Sequence, residues 1–345
     1  MIISTLNDLI KKAIADGASD LHFEPQKSDA LVRMRVDGLL QEILKTKKEI
    51  LIQLISRIKV LAHLNLAEKR LPQDGRIFMK VEEKRVDLRI STIPTVFGEK
   101  AVIRILNKEA SIKSLEKLDM FPKELAEFKK MLSKKHGIIL VSGPTGSGKT
   151  TTLYAALQKL NQAEVNIITI EDPVEYSFEQ INQIQVNEKI GMTFERGLRA
   201  VLRQDPDIIM VGEIRDKETA KIAITAAMTG HLVLSTIHTN DCVSTVGRLI
   251  DMGIEPYLIS GALIGLISQR LTRKISGETY KGRQAVFEVL TIDEELSRLI
   301  SSAAAKDVLL NHAKLKGMHT LLENGLQLVA SGITTKEEIL RVMSE

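Results

Sequence analysis

Residues 143–150 read Gly143-Pro144-Thr145-Gly146-Ser147-Gly148-Lys149-Thr150, a complete GxxxxGK[ST] phosphate-loop pattern. The flanks agree with it. Gly137-Ile-Ile-Leu-Val-Ser142 is a short apolar run of the kind that forms a buried strand, and Thr151-Thr-Leu-Tyr-Ala-Ala-Leu157 is helix-forming. The spacing follows from the chemistry. Glycines let backbone N–H groups turn inward around phosphate oxygens, at a helix N-terminus whose partial positive charge favours anions. Lys149 then reaches the β- and γ-phosphates, the Thr150 hydroxyl is placed to ligate Mg²⁺, and Thr151 completes the first helical turn. The stretch specifies a nucleoside-triphosphate site built from residues 143–151.

At 345 residues, 44% hydrophobic and 27% charged, the chain has room for two globular domains with real cores. Its net charge of +4 is slight, and 3% aromatic content without Trp leaves no stacking platform for single strands, so direct nucleic-acid binding is not expected. Cys242 is the single cysteine, which excludes an intramolecular disulfide and a four-cysteine zinc site. No apolar run approaches the roughly 18 residues needed to span a bilayer. The densest, Leu258-Ile-Ser-Gly-Ala-Leu-Ile-Gly-Leu-Ile267, reads as a core helix, and the N-terminus lacks the basic start of a signal peptide.

Ahead of the phosphate loop the chain predicts a small α+β domain over 1–110. Leu6, Leu9, Ile10, Ala13 and Ile14 recur at helical spacing and Gly17 stops them; a second helix is expected from about Glu49 to Leu66. Strands are read over 31–37, 77–81, 86–91 and 101–106, with a turn at Pro72-Gln-Asp-Gly75. Their alternation puts Val32, Met34, Leu88 and Ile103 on one face and Arg33, Arg35, Arg89 and Arg104 on the other, with Arg76 at a strand start. One arginine on a solvated face needs no explanation; five on one small sheet suggest an anion-facing surface. Residues 111–122 read as a linker. From 123 to 345 helices alternate with short β-branched runs, the pattern of βαβ units and a mainly parallel sheet, turning helix-rich beyond Glu255 with one further strand near 283–290.

Ligand chemistry in such sheets gathers at the C-terminal strand ends. Three ends matter. Ile170-Glu171-Asp172-Pro173-Val-Glu175 offers carboxylates that could position Mg²⁺ or water, or that simply mark a polar strand exit. Asp207-Ile-Ile-Met-Val-Gly212-Glu213 has the four apolar residues of a Walker B strand, but Gly212 stands where the Mg²⁺-ligating Asp is usual. Glu213 is then the candidate general base, with Glu213 and Glu171 able to touch Mg²⁺ through water. His238, ending His231-Leu-Val-Leu-Ser-Thr-Ile237, is a candidate γ-phosphate sensor; with no paired histidine spacing, a histidine metal site is not expected.

Taken together, these motifs resemble the secretion ATPase superfamily that drives type II secretion, type IV pili and DNA-uptake pseudopili. Residues 143–150 resemble its Walker A motif, 170–175 its Asp box, 205–216 its atypical Walker B and 230–240 its His box. The runs 18–25, 35–38, 71–76 and 88–94 resemble its N-terminal PAS-like domain. The resemblance implies an α/β fold, a PAS-like α+β domain followed by a RecA-like NTPase domain with a helical C-terminal part. It implies Mg²⁺-dependent ATP hydrolysis by a hexameric ring that assembles a filament, working from the cytoplasm against a polytopic inner-membrane platform protein. Arg76, Arg89 and Arg104 would approach nucleotide across or beside a subunit or domain boundary, with Lys149, Glu171, Glu213 and His238 completing the catalytic set. The Pro72-Gln-Asp-Gly-Arg76 run is of the assembly type rather than the retraction type; a retraction ATPase and a nucleic-acid-translocating RecA-like motor are the alternatives. Gln269-Arg-Leu271 is followed by no tetracysteine loop, so no zinc is expected, and the short layout is similar to the competence ATPases of Gram-positive bacteria.

Overall fold

The computed structural model describes residues 2–81, 84–106 and 113–344. The chain divides into two compact units, Met1–Ser111 and Ile112–Glu345. Residues 111 and 112 of the expected linker lie outside the described residues. Leu115 and Leu118 are buried in one apolar cluster with Phe128 and Leu153, so the described part of that segment is core of the second unit.

The first unit runs α1 (Ile2–Ala15), β1 (Asp20–Pro25), β2 (Ala30–Val36), β3 (Leu39–Thr46), α2 (Lys48–Leu61), β4 (Gln73–Val81), β5 (Lys84–Thr95) and β6 (Gly98–Leu106). Its six strands form an antiparallel sheet in the order β3-β2-β1-β6-β5-β4. The apolar stripes of α1 (Leu6, Ile10) and α2 (Leu54, Ile58) share a core with Leu21, Phe23, Val32, Leu88 and Ile103. Each such side chain, fully buried, contributes about 1.5–3 kcal/mol. Two expectations are corrected. Helix α2 ends at Leu61 instead of continuing to Leu66, and His63 turns the chain with φ 56°. Residues 73–75 are not a turn but the start of β4. Gly75 is required there because a Cβ would come within 2.9 Å of the Ala62 carbonyl and of Leu64.

The second unit continues with α3 (Pro122–Leu132), β7 (Gly137–Ser142), α4 (Lys149–Leu160), β8 (Ile167–Glu171), β9 (Ile181–Gln185), α5 (Phe194–Val201), β10 (Ile208–Val211), α6 (Lys217–Met228), β11 (Leu232–Ile237), α7 (Cys242–Asp251) and α8 (Pro256–Ala262). Then come β12 (Leu263–Ser276), β13 (Thr279–Thr291) and four helices, α9 (Glu294–Ser301), α10 (Lys306–Leu315), α11 (Leu321–Ala330) and α12 (Lys336–Met343). The sheet order is β13-β12-β7-β11-β10-β8-β9, parallel from β12 through β9, with β13 antiparallel at the edge. Strands β7, β8, β10 and β11 are buried throughout, as continuous apolar runs covered on both faces should be. The expected core helix over 258–267 is corrected: it ends at Ala262, and Leu263 opens a long strand beside β7. Gly265 on that strand lets α3 pack close, since a Cβ there would lie 2.2 Å from the Met131 sulfur. The region past Glu255 therefore carries two strands, not one.

Candidate active site

Strand β7 delivers the chain into the phosphate loop, and two of its glycines are obligatory. Gly143 (φ 144°) lies where a Cβ would meet the Gln269 carbonyl at 2.5 Å, and Gly148 (φ 92°) where one would meet the Gln269 amide at 2.7 Å. The loop thus sits on β12 as well as on its own helix. Lys149 is buried and donates to the Gly143 carbonyl at 2.7 Å and the Pro144 carbonyl at 3.0 Å, closing the loop on itself. Burial pushes its ammonium down to about 8, opposed by the Glu213 carboxylate and assisted by the Arg270 charge. An incoming phosphate would restore what burial withdraws. The Ser147 hydroxyl is buried and has no partner among the described residues, a donor free for such a ligand. Pro144 and Thr151 are half-buried, while Thr145, Gly146 and Thr150 are exposed at the mouth. A backbone cradle, a desolvated cation, an unspent hydroxyl and an exposed Thr150 suit a Mg²⁺-bound triphosphate.

Two strand ends converge beside it. Strands β10 and β11 run in register (Val211 opposite Ser235), and Thr236 donates to the Gly212 carbonyl at 2.7 Å, fixing where each chain leaves the sheet. Glu213 leaves β10 with one oxygen 2.6 Å from Arg215 and the other 3.6 Å from His238 Nε2. Burial and the Lys149 charge lower the His238 pKa, while Glu213 pulls the other way. Lys149, Glu213 and His238 therefore lie in one another's electrostatic field.

Glu171 is not presented in this way. It is buried at the end of β8, accepting from Thr169 Oγ1 at 2.5 Å, Gln183 Nε2 at 3.1 Å and the Tyr154 hydroxyl. Burial, then this carboxylate, push the Tyr154 phenol far above its usual range, so it remains a donor. These bonds tie β8 to α4 and to β9, so Glu171, expected as a catalytic or water-bridged Mg²⁺ acid, is buried with both oxygens hydrogen-bonded, unlike the partly exposed Glu213 pair.

The expected arginine face is present within the first unit but divided. Register places Arg76 opposite Arg89, Arg89 opposite Arg104, Arg104 opposite Asp20 and Asp20 opposite Arg35, one row across five strands. Arg76, Arg89 and Arg104 line a groove of about 480 Å³ with Asp74, Ser91 and Val102. Arg104 reaches Asp20 at 3.0 Å but stays largely exposed. Arg33 is held by Glu24 at 2.7 Å and Arg35 donates to the Gly38 carbonyl, so neither joins the groove.

Sequence reasoning passed over Arg215, Gln269 and Arg270. Arg215 stood two residues past Glu213 in the Walker-type run. Gln269 and Arg270 are polar residues inside the apolar stretch 263–271, buried at 2% and 3% exposure, and that interruption was the available signal.

Comparison with known proteins places these features in company. The family profile described as type II/IV secretion system protein matches residues 1–341. The type II secretion system protein HxcR of Pseudomonas aeruginosa is 48% identical over 99% of this chain and 77% of its own. The type IV pilus assembly ATPase PilB of Thermus thermophilus is 45% identical over 97% of this chain and 42% of its own. Among solved structures, the pilus retraction motor PilT with bound ADP superposes with a TM-score of 0.70 at 31% identity, covering 97% of this chain and 96% of that one.

Proposed function

The chain belongs to the type II/IV secretion system protein family, and on that premise we propose that it hydrolyses ATP to ADP and phosphate to drive assembly of a pilus-like or secretion filament. The observation that carries this reading is the placement of Glu213 and His238 at neighbouring strand ends, within electrostatic reach of a closed Lys149 loop. Backbone N–H groups of residues 143–150 and Lys149 hold the phosphates. Glu213, released from Arg215, takes the proton of the attacking water, while His238 reads the γ-phosphate from the other side. Mg²⁺, when bound, would be held by the Thr150 hydroxyl and would neutralise charge on the phosphate oxygens. Arg76, Arg89 and Arg104 supply the positive charge that the loop lacks, across or beside a subunit or domain boundary of a homo-hexamer.

No helix among the described residues is long and apolar enough to cross a membrane. The reading has the ring working at the cytoplasmic face of the inner membrane through a polytopic platform protein, as its secretion-family relatives suggest, without binding nucleic acid. Glu213→Gln is the test. It should bind ATP with little change in affinity and lose about 10²–10⁴-fold in turnover; near-normal hydrolysis would remove Glu213 from the role. A retraction motor is the second reading, favoured by the likeness to PilT. Deletion leaving cells bare of filaments supports assembly; filaments that cannot shorten support retraction. ATPase activity stimulated by DNA would favour a nucleic-acid motor.

A further inference from the structure

Three consecutive residues of β12 touch the end of β7, the phosphate loop, α4, the segment after His238 and α12. Ser268 hydrogen-bonds Ser142 at the end of β7. Gln269 accepts from Thr152 of α4 at 2.7 Å and lays its backbone against Gly143 and its amide against Gly148. Arg270 sends Nη1 to the Gln269 carbonyl (3.1 Å), Nη2 to the Asn240 carbonyl (3.1 Å) and Nε to the Val342 carbonyl (3.2 Å). Asn240 is two residues past His238, and Val342 is in the last turn of α12.

The same short segment is tied again on either side. Asp241 binds Lys306 of α10 at 2.8 Å. Glu288 of β13, itself buried, accepts from the backbone N–H of Cys242 at 2.7 Å and of Leu321 at 3.0 Å, the first residues of α7 and α11. Residues 238–242 are thereby fastened to α10, α11 and α12 at once.

We propose that Gln269 and Arg270 are positioning residues that couple the phosphate loop and the His238 segment to the C-terminal helices. The inference rests on the ATPase reading above. A buried guanidinium is an expensive way to hold a helix onto a sheet, since desolvating it costs several kcal/mol. An apolar residue would pack α12 as well or better. What the guanidinium adds is directional: a rigid planar fork that fixes two carbonyls from different elements in one plane, beside a loop seated on the adjacent glutamine. A shift of the His238 segment on γ-phosphate arrival or release pulls on Arg270 and is passed to α12. The same shift travels through Asp241 and Glu288 to α10 and α11.

Turnover, nucleotide affinity and thermal midpoint are measured for the full chain and for Arg270→Gln, Arg270→Lys and Gln269→Met, with amide exchange of residues 336–343 followed with and without ATP. Arg270→Gln should keep ATP affinity within about threefold and lose about 10²-fold in kcat, the usual consequence of a misplacement on the order of 1 Å. Arg270→Lys, which keeps charge but not the fork, should recover only part of it. The ATP-dependent change in exchange of 336–343 should vanish in both. Gln269→Met should show the same split with a smaller loss, and it decides the matter if the Arg270 variants do not fold. A folded variant with kcat within twofold of wild type, or one whose only defect is ATP affinity, overturns the proposal. Should the wild-type chain itself fail to hydrolyse ATP, the function proposed above falls. Amide exchange then still judges the coupling, which is overturned if 336–343 respond to ATP equally with and without Arg270.

Discussion

Glu213 and Glu171 stand at the ends of neighbouring strands, yet their surroundings differ. Glu213 has one oxygen in an ion pair with Arg215 and the other facing a histidine that is half exposed, so it can be released to act on water. Glu171 is buried and accepts from three side-chain donors. Glu171→Gln should therefore destabilise the fold by about 1–3 kcal/mol, because an amide turns a donor toward hydroxyls that need an acceptor. Its kcat should fall far less than that of Glu213→Gln; denaturant unfolding and turnover measured side by side check the contrast. Gly148→Ala should abolish nucleotide binding, since φ of 92° and the Gln269 amide both oppose a Cβ. Equilibrium binding of a fluorescent ATP analogue measures it. That Glu213 and His238 stand at neighbouring strand ends was legible in the sequence, because the run of each strand is a local pattern. The fate of Glu171 was not, since Tyr154 lies 17 residues upstream on α4 and Gln183 on β9, a strand no local pattern announced.

At the scale of elements, local pattern served where an element buries one regular face and failed where packing against a distant residue overrode it. Strands β7, β10 and β11 and helices α1 and α4 stand close to where periodicity puts them. Strand β12 was hidden because Ile264-Gly-Leu-Ile267 suits a helix as well as a strand, and pairing with β7, more than a hundred residues upstream, is what it adopts. The C-terminal helices depend on β12 in turn. Glu338 of α12 is bound by Arg273 of β12 and by Arg341. Burial alone would raise its pKa, but the hydrogen bonds from Arg273 and then Arg341 outweigh that and hold the carboxyl at about 2. A depressed carboxylate stabilises the fold above its unfolded pKa, near 4.5, and loses that contribution as pH falls toward 2. Glu338→Gln should be less stable than wild type by about 2 kcal/mol at neutral pH, with the gap closing between pH 4.5 and 2. Urea unfolding across that range reads the difference.

For the whole molecule the question is why a small domain sets three arginines in register. Arg76, Arg89 and Arg104 stand directly opposite one another on β4, β5 and β6, an arrangement of like charges that costs stability in a sheet. Asp20, between Arg104 and Arg35 in the row, engages Arg104 alone among the three. A sheet face selected only for solubility would alternate its charges. This one sets three guanidinium groups in a row along a groove, a placement that the proposed role toward an anionic ligand would use. The prediction separates that purpose from ordinary stability. Arg76→Ala, on the edge strand and with no ion pair among the described residues, should leave the unfolding midpoint unchanged or raise it slightly, because it relieves repulsion. Arg89→Ala and Arg104→Ala, in the assembled protein and with ATP saturating, should lower turnover by about 10³-fold if they act on the transferred phosphoryl group as a supplied arginine does. Arg35→Ala, in the same row but turned to the Gly38 carbonyl, should leave turnover unchanged. Stimulated ATPase rates of the four variants beside their melting midpoints make the comparison. Normal turnover by both Arg89→Ala and Arg104→Ala would mean that the groove serves some other anion and that the charge on the γ-phosphate is met from within the second unit.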